Sequence, residues 1–63
     1  MKYWIGIDRY NKIVFRESGA DKAWYDPARN DWFTLIDRDV WNFAERPEAF
    51  RELTKKEVFI KIL

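Results

Sequence analysis

The sequence contains no cysteine and no histidine, and only two of its 63 residues are glycine. Without cysteine or histidine, neither a disulfide framework nor a typical zinc site can form. The commonest general base of enzymes is missing too, which removes the usual pairs of nucleophile and base. Two glycines are too few for a Walker or Rossmann phosphate loop. We therefore expect no cofactor, no bound metal and no enzymatic activity.

An excess of charge of one sign is also lacking. Twelve Lys and Arg stand against eleven Asp and Glu, which gives a formal net charge of +1, and the two signs are interspersed. The early apolar run, residues 3–7, is too short for a signal peptide. No run approaches the roughly 18 apolar residues of a membrane span. The composition predicts an intracellular, cytoplasmic protein that does not enter a membrane.

Aromatic side chains are abundant, with four Trp, three Tyr and five Phe. A chain of this length forms one domain, residues 1–63, and buries only about 60% of its unfolded surface. Each aromatic ring can bury about 150–250 Å². We expect the rings to fill most of this thin core and to leave a few of their number outside for recognition.

The N-terminal quarter predicts a β-hairpin. Residues 3–8 and 13–16 are rich in β-branched and aromatic side chains, and the polar residues between them include Asn11, which tolerates a left-handed backbone. Alternation places Trp4 on the more polar face of the first strand, so we expect Trp4 to be partly exposed. Gly6 inside that strand indicates a bulge or the close approach of another backbone.

A second hairpin is predicted in the middle of the chain. Gly19 ends the second strand with Ser18, and residues 26–31 form a dense turn signal between the aromatic pairs 24–25 and 32–33. The alternative is a helix that begins at Pro27 with Asp26 as its cap. We favour a strand at residues 32–36.

The pattern becomes helical from Asp37. Asp37 can cap a helix whose stripe is formed by Val40, Phe43 and Ala44 and which ends at Arg46, before a proline. One or two further helical turns are predicted over residues 48–53, because Pro47 suits the first position of a helix and Glu48 lies at its positive end.

The C-terminal segment supports two interpretations. Thr54 and Glu57 match a capping box, which favours a helix. The apolar residues that alternate over 58–63 favour a closing strand paired with the first hairpin. In either case the predicted fold is α+β: a small antiparallel sheet, built as a hairpin-based meander, with one or two short helices packed on one face.

Few side chains are candidates for chemistry. Ser18 is the only serine, and turn formation explains it. Asp37 and Asp39 could be read as a carboxylate pair for Mg²⁺, joined by Asp26 and Asp31. Helix capping and turn formation explain these carboxylates better, because hard cations require more oxygen ligands than the segment supplies. A magnesium-dependent enzyme is thus the least favoured alternative.

Recognition is better supported. Trp24, Tyr25, Arg29 and Trp32 lie on or beside one turn, and Trp, Tyr and Arg dominate binding hot spots. Trp41 lies off the predicted helical stripe, at the edge of the core or on a docking face. These five residues are the candidate binding site. The competing interpretation places the four aromatic rings among them in the core.

The resulting hypothesis is a small non-enzymatic protein-binding module, an accessory or viral-type regulator that docks on another protein, or on itself, through an aromatic and arginine patch or a sheet edge. The alternative is a small β-domain that binds single-stranded nucleic acid, since Arg9, Arg16 and Arg29 accompany the aromatic residues. The balanced charge argues against nucleic acid as a partner.

Overall fold

A computed structural model describes residues 1–37 and 40–62. It has a five-stranded antiparallel sheet, a 3₁₀ turn at Asp8–Tyr10 and a C-terminal helix. The elements are β1 (Lys2–Gly6), β2 (Val14–Ser18), β3 (Asp21–Asp26), β4 (Asp31–Thr34), β5 (Phe50–Leu53) and α1 (Lys55–Ile62). This is the predicted α+β fold.

The strands lie in the order β4-β3-β2-β1-β5. The first four form a meander, and β5 returns to pair with the free edge of β1, so that β4 and β5 are the two edges. On one side of the sheet, Phe15 of β2 stands opposite both Trp4 of β1 and Trp24 of β3. The two predicted hairpins are confirmed, although the strand expected at residues 32–36 lies at Asp31–Thr34. The helix that would have started at Pro27 is wrong.

Left-handed residues close the two tight hairpin turns. Gly19, with φ of 60°, follows Ser18 and lets β2 turn directly into β3. Asn30, with φ of 53°, ends the four-residue loop between β3 and β4. Asparagine tolerates this conformation better than most residues, and its side-chain oxygen accepts a hydrogen bond from the Tyr25 hydroxyl.

The sheet has two differently covered faces. The aromatic face carries rings at Trp4, Phe15, Trp24, Phe33 and Phe50, and the irregular segment 41–49 packs over it. The helix face is opposite, where α1 places Val58 in a second cluster. Its buried members from the strands are Ile5, Val14, Tyr25 and Leu53.

The predicted exposure of Trp4 is wrong. Only 7% of Trp4 is exposed, because Phe43 from the covering segment stacks on its ring with centroids 5.9 Å apart. Sequence alternation correctly placed Trp4 on the opposite face from Tyr3 and Ile5, but that face is aromatic core rather than the more polar one. It could not show that an irregular segment covers that face.

Beyond residue 40, the helix predicted from Asp37 to Arg46 is wrong. Residues 41–46 form loops and turns, and Arg38 and Asp39 lie outside the described residues. Phe43 is buried, whereas Val40 and Ala44 are exposed. Trp41 and Phe43 both pack on the aromatic face, and a helix cannot direct residues two apart to the same side.

The helical turns predicted over residues 48–53 are wrong as well. Phe50–Leu53 is strand β5, with Phe50 and Leu53 buried on opposite faces of the sheet. Pairing with β1 satisfies backbone groups along an edge that would otherwise be open. This long-range pairing outweighs the local helix signals of Pro47 and Glu48.

The C-terminal segment is the helix α1, and its alternative as a closing strand is wrong. The capping box forms as expected: Glu57 N donates to Thr54 Oγ1 at 3.2 Å, and Thr54 N donates to Glu57 Oε1 at 3.0 Å. No helix in the described part of the chain is long and apolar enough to cross a bilayer.

Candidate functional site

The aromatic face contains a pocket of about 230 Å³ beside β2 and β3. Four aromatic and two aliphatic side chains line this aromatic pocket: Tyr10, Ile13, Phe15, Trp24, Leu35 and Trp41. The sheet forms its floor, and the connection after β1 and the segments after β4 form its walls. It brings together two of the five predicted binding residues, Trp24 and Trp41.

The floor of the pocket follows from strand register. Phe15 and Trp24 are direct partners across β2 and β3, so their rings point to the same face. Phe15 is 1% exposed and belongs to the core, whereas Trp24 is half-buried and packs on Phe33 with centroids 5.5 Å apart. The accessible part of Trp24 therefore faces the pocket from a fixed position.

Trp41 forms the wall opposite the sheet. Its ring lies 5.4 Å from the rings of both Tyr10 and Phe15. Its carbonyl oxygen accepts a hydrogen bond of 2.6 Å from Lys22 Nζ, which binds the covering segment to β3. Lys22 is buried, ion-paired with Glu17 at 3.8 Å and placed over the Phe43 ring. A buried ammonium with such partners holds the segment in one place.

Tyr10 forms a further wall of the aromatic pocket, and Gly6 permits its position. A Cβ at Gly6 would lie 2.2 Å from the Tyr10 carbonyl oxygen, so only glycine fits there. The close backbone approach expected at Gly6 is confirmed. Tyr10 stacks on Phe50 with centroids 5.1 Å apart, and this contact connects the pocket to the core.

The other predicted binding residues lie elsewhere. Tyr25 is buried on the helix face, and Trp32 lies half-buried beside it, with the Arg16 guanidinium 4.7 Å from the Trp32 ring. The Arg29 side chain is 70% exposed in the hairpin loop, 3.8 Å from Asp26 and 5.3 Å from the Phe33 ring. The five residues are thus divided between the two faces and a loop.

Sequence reasoning missed Tyr10 and Lys22. Tyr10 stands in a polar stretch that indicated only a turn. Its signal was Gly6, whose need for a close backbone neighbour implied that the turn folds back on the sheet. The position of Lys22 follows from strand register, because pairing Phe15 with Trp24 also pairs Glu17 with Lys22.

Two of the four carboxylates considered for Mg²⁺ have structural partners. Asp26 Oδ1 accepts a hydrogen bond from Ala28 N at 3.0 Å, and Asp31 Oδ1 accepts one from Trp32 N at 2.8 Å, as turn residues do. Within residues 1–37 and 40–62, no group of three or more Asp or Glu side chains could hold a metal ion. Asp39 of the predicted Mg²⁺ pair lies outside the described residues.

Among the described carboxyl groups, one has a clearly shifted pKa. The hydrogen bond from the Thr54 backbone, supported by the Thr54 hydroxyl and by Arg51, holds the pKa of Glu57 below its ordinary value of 4.5. The group lies at the start of α1, on the other side of the sheet from the aromatic pocket. Its role is that of a helix cap.

The chain was compared with protein-family models, with curated proteins and with solved structures, and none of them matches.

Proposed function

We propose that the protein is a non-enzymatic binding module that anchors one apolar side chain of a larger protein in the aromatic pocket. The observation that carries the proposal is the pocket's lining, six apolar or aromatic side chains that include Trp24 and Trp41. Tryptophan and tyrosine in well-packed pockets dominate the energy of protein interfaces. A partner side chain would contact rings whose positions are already fixed.

The volume supports an anchor residue more than a free metabolite. Pockets for small molecules span about 300–1,000 Å³ and contain a few polar groups that orient the ligand. The aromatic pocket is smaller, about 230 Å³, and none of the described residues that line it is charged. Water in such a space makes few hydrogen bonds. A partner whose apolar group displaces this water therefore binds more tightly.

The chain segment beside the pocket supports a protein partner. Ile36, which follows Leu35, is 92% exposed, and Val40, which precedes Trp41, is 59% exposed. A partner seated on the pocket would cover this exposed apolar surface. The arginines that favoured nucleic acid are placed over rings of the chain itself, Arg16 over Trp32 and Arg29 over Phe33.

A peptide-display selection tests the proposal. Peptides selected on the protein should share one large apolar residue, and Trp41→Ala should weaken their binding by about tenfold or more. Phe59→Ala is the matched control, because Phe59 is an aromatic residue exposed on α1, away from the pocket. Equal losses in both variants, or selected peptides without an apolar anchor, would contradict the proposal.

A second test needs no partner. Each of the four tryptophans gives its own indole N–H signal in an ¹⁵N-correlated NMR spectrum. Titration with benzene, a probe of dry apolar cavities, should shift the signals of Trp24 and Trp41 and leave that of Trp32 on the opposite face in place. A uniform shift of all four signals, or none, would show that the pocket does not accept an apolar group.

A further inference from the structure

The helix face contains a second, larger pocket of about 470 Å³ at the end of the sheet near the C-terminus of α1. Ile5 and Val14, paired across β1 and β2, form an apolar floor. Among the described residues, three cationic side chains and one carboxylate line it: Lys12, Arg51, Lys61 and Asp8. We call this the basic pocket. It lies on the opposite face from the aromatic pocket, and nothing in its argument depends on the proposed function.

The three cations come from separate parts of the chain. Lys12 lies in the connection between β1 and β2, Arg51 on β5 and Lys61 in the last turn of α1. The fold therefore gathers positive charge that the sequence distributes evenly, in a chain whose formal net charge is only +1. Cations around a concave, low-dielectric surface concentrate the local potential and attract anions.

The cations are accessible to a ligand. Lys12 and Lys61 are exposed, and the Arg51 side chain is 56% exposed. Within the described part of the chain, the Arg51 guanidinium is ion-paired with Glu57 alone, with Nη1 3.5 Å from Oε2. A guanidinium has five N–H donors, so the others can bind phosphate or carboxylate oxygens in the paired geometry that arginine favours.

We propose that the basic pocket binds a small organic anion, a phosphate or carboxylate group on a compact apolar body. The cations would bind the anionic group and the Ile5 and Val14 floor would contact the body. The volume lies within the range of about 300–1,000 Å³ of small-molecule sites. Asp8 and Asn11 supply a carboxylate and an amide that can hydrogen-bond to a polar substituent.

Phenyl phosphate, benzoate, inorganic phosphate and phenol are the probes, measured by NMR titration at physiological ionic strength. Phenyl phosphate or benzoate should bind about tenfold more tightly than either inorganic phosphate or phenol, because only the first two combine an anionic group with an apolar ring. The ratio between phenyl phosphate and benzoate identifies the preferred anionic group. Shifts should concentrate at the amides of Lys12, Arg51 and Lys61. Equal affinity for all four probes would overturn the proposal.

Paired double variants separate a site from general charge attraction. Lys12→Met with Lys61→Met should weaken the binding of phenyl phosphate by about tenfold or more. Lys55→Met with Lys56→Met removes the same charge from exposed positions at the other end of α1 and should change the affinity less than about twofold. Equal losses of affinity in the two double variants would refute a specific site and show that general charge attraction accounts for the binding. Far-UV circular dichroism of both confirms that they remain folded.

Discussion

The two faces of the sheet are covered by different means, and the less regular cover is packed more tightly. On the aromatic face, the turns of segment 41–49 bury Phe43 to 1% exposure, and Phe15 and Phe50 beneath it are as deeply buried. On the helix face, α1 has a single buried residue among those described, Val58, and leaves Phe59 and Ile60 about two-thirds exposed.

The difference comes from side-chain size and from anchoring. Rings at Trp4, Phe15, Phe43 and Phe50 contact one another with centroid distances of 4.9 to 5.9 Å, and Lys22 ties the covering segment to β3. A short helix on a small sheet reaches fewer partners. Because large rings bury more apolar area, we expect the aromatic face to contribute more to the stability of the fold than the helix face.

The largest effect should come from the aromatic face. Phe43→Ala removes a fully buried ring and should lower the free energy of unfolding by about 3–5 kcal/mol, enough to unfold much of the population of so small a domain. Urea denaturation followed by tryptophan fluorescence measures the loss. Val40→Ala, an exposed apolar residue of the same region, is the control and should stay within about 0.5 kcal/mol. A loss below about 1 kcal/mol in Phe43→Ala would show that the aromatic face is not the main source of stability.

An intermediate effect is expected on the helix face. Val58→Ala removes two methyl groups from the contact between α1 and the sheet and should cost about 2 kcal/mol. Phe59→Ala, the adjacent exposed position, should change the free energy of unfolding by about 0.5 kcal/mol or less, although it deletes a larger side chain. If Phe59→Ala proved the more costly change, α1 would have to be rotated on the sheet.

The smallest effect concerns the capping box and depends on pH. The pKa of Glu57 is lowered in the folded state, so the carboxylate stabilises the fold above its unfolded pKa, near 4.5, and this contribution is lost as the pH falls through the lowered folded value. The stability difference between the wild type and Glu57→Gln should therefore be largest at neutral pH and shrink in acid. Glu52→Gln on β5 serves as the control. A difference that grew in acid would contradict the assignment.

Local chemistry allowed much of the fold to be predicted from the sequence. The turn at Gly19, the loop ending in Asn30 and the capping box of Thr54 and Glu57 each depend on residues within a few positions of one another. Strand β5 could not be predicted, because it forms by pairing with β1, more than 40 positions earlier in the chain. Propensity near Pro47 indicated a helix, and tertiary pairing overrode it.

The candidate site was predicted only in part for the same reason. Trp24 and Trp41 were singled out by residue type, but their meeting requires Lys22 to hold the irregular segment against the sheet. Tyr25 directly follows Trp24 and faces the other side of the sheet, since neighbours along a strand alternate. Trp32 is paired with Tyr25 across β3 and β4 and shares its face. A cluster in sequence near a hairpin is therefore divided between two faces in space.

The central claim is that Trp41 is held in the wall of the aromatic pocket, and through-space NMR contacts test it most directly. The structure predicts nuclear Overhauser contacts from the Trp41 indole to the rings of Tyr10 and Phe15, whose centroids lie 5.4 Å away. A Trp41 ring with random-coil chemical shifts and no contact to either ring would contradict both the packing of segment 41–49 and the pocket that depends on it.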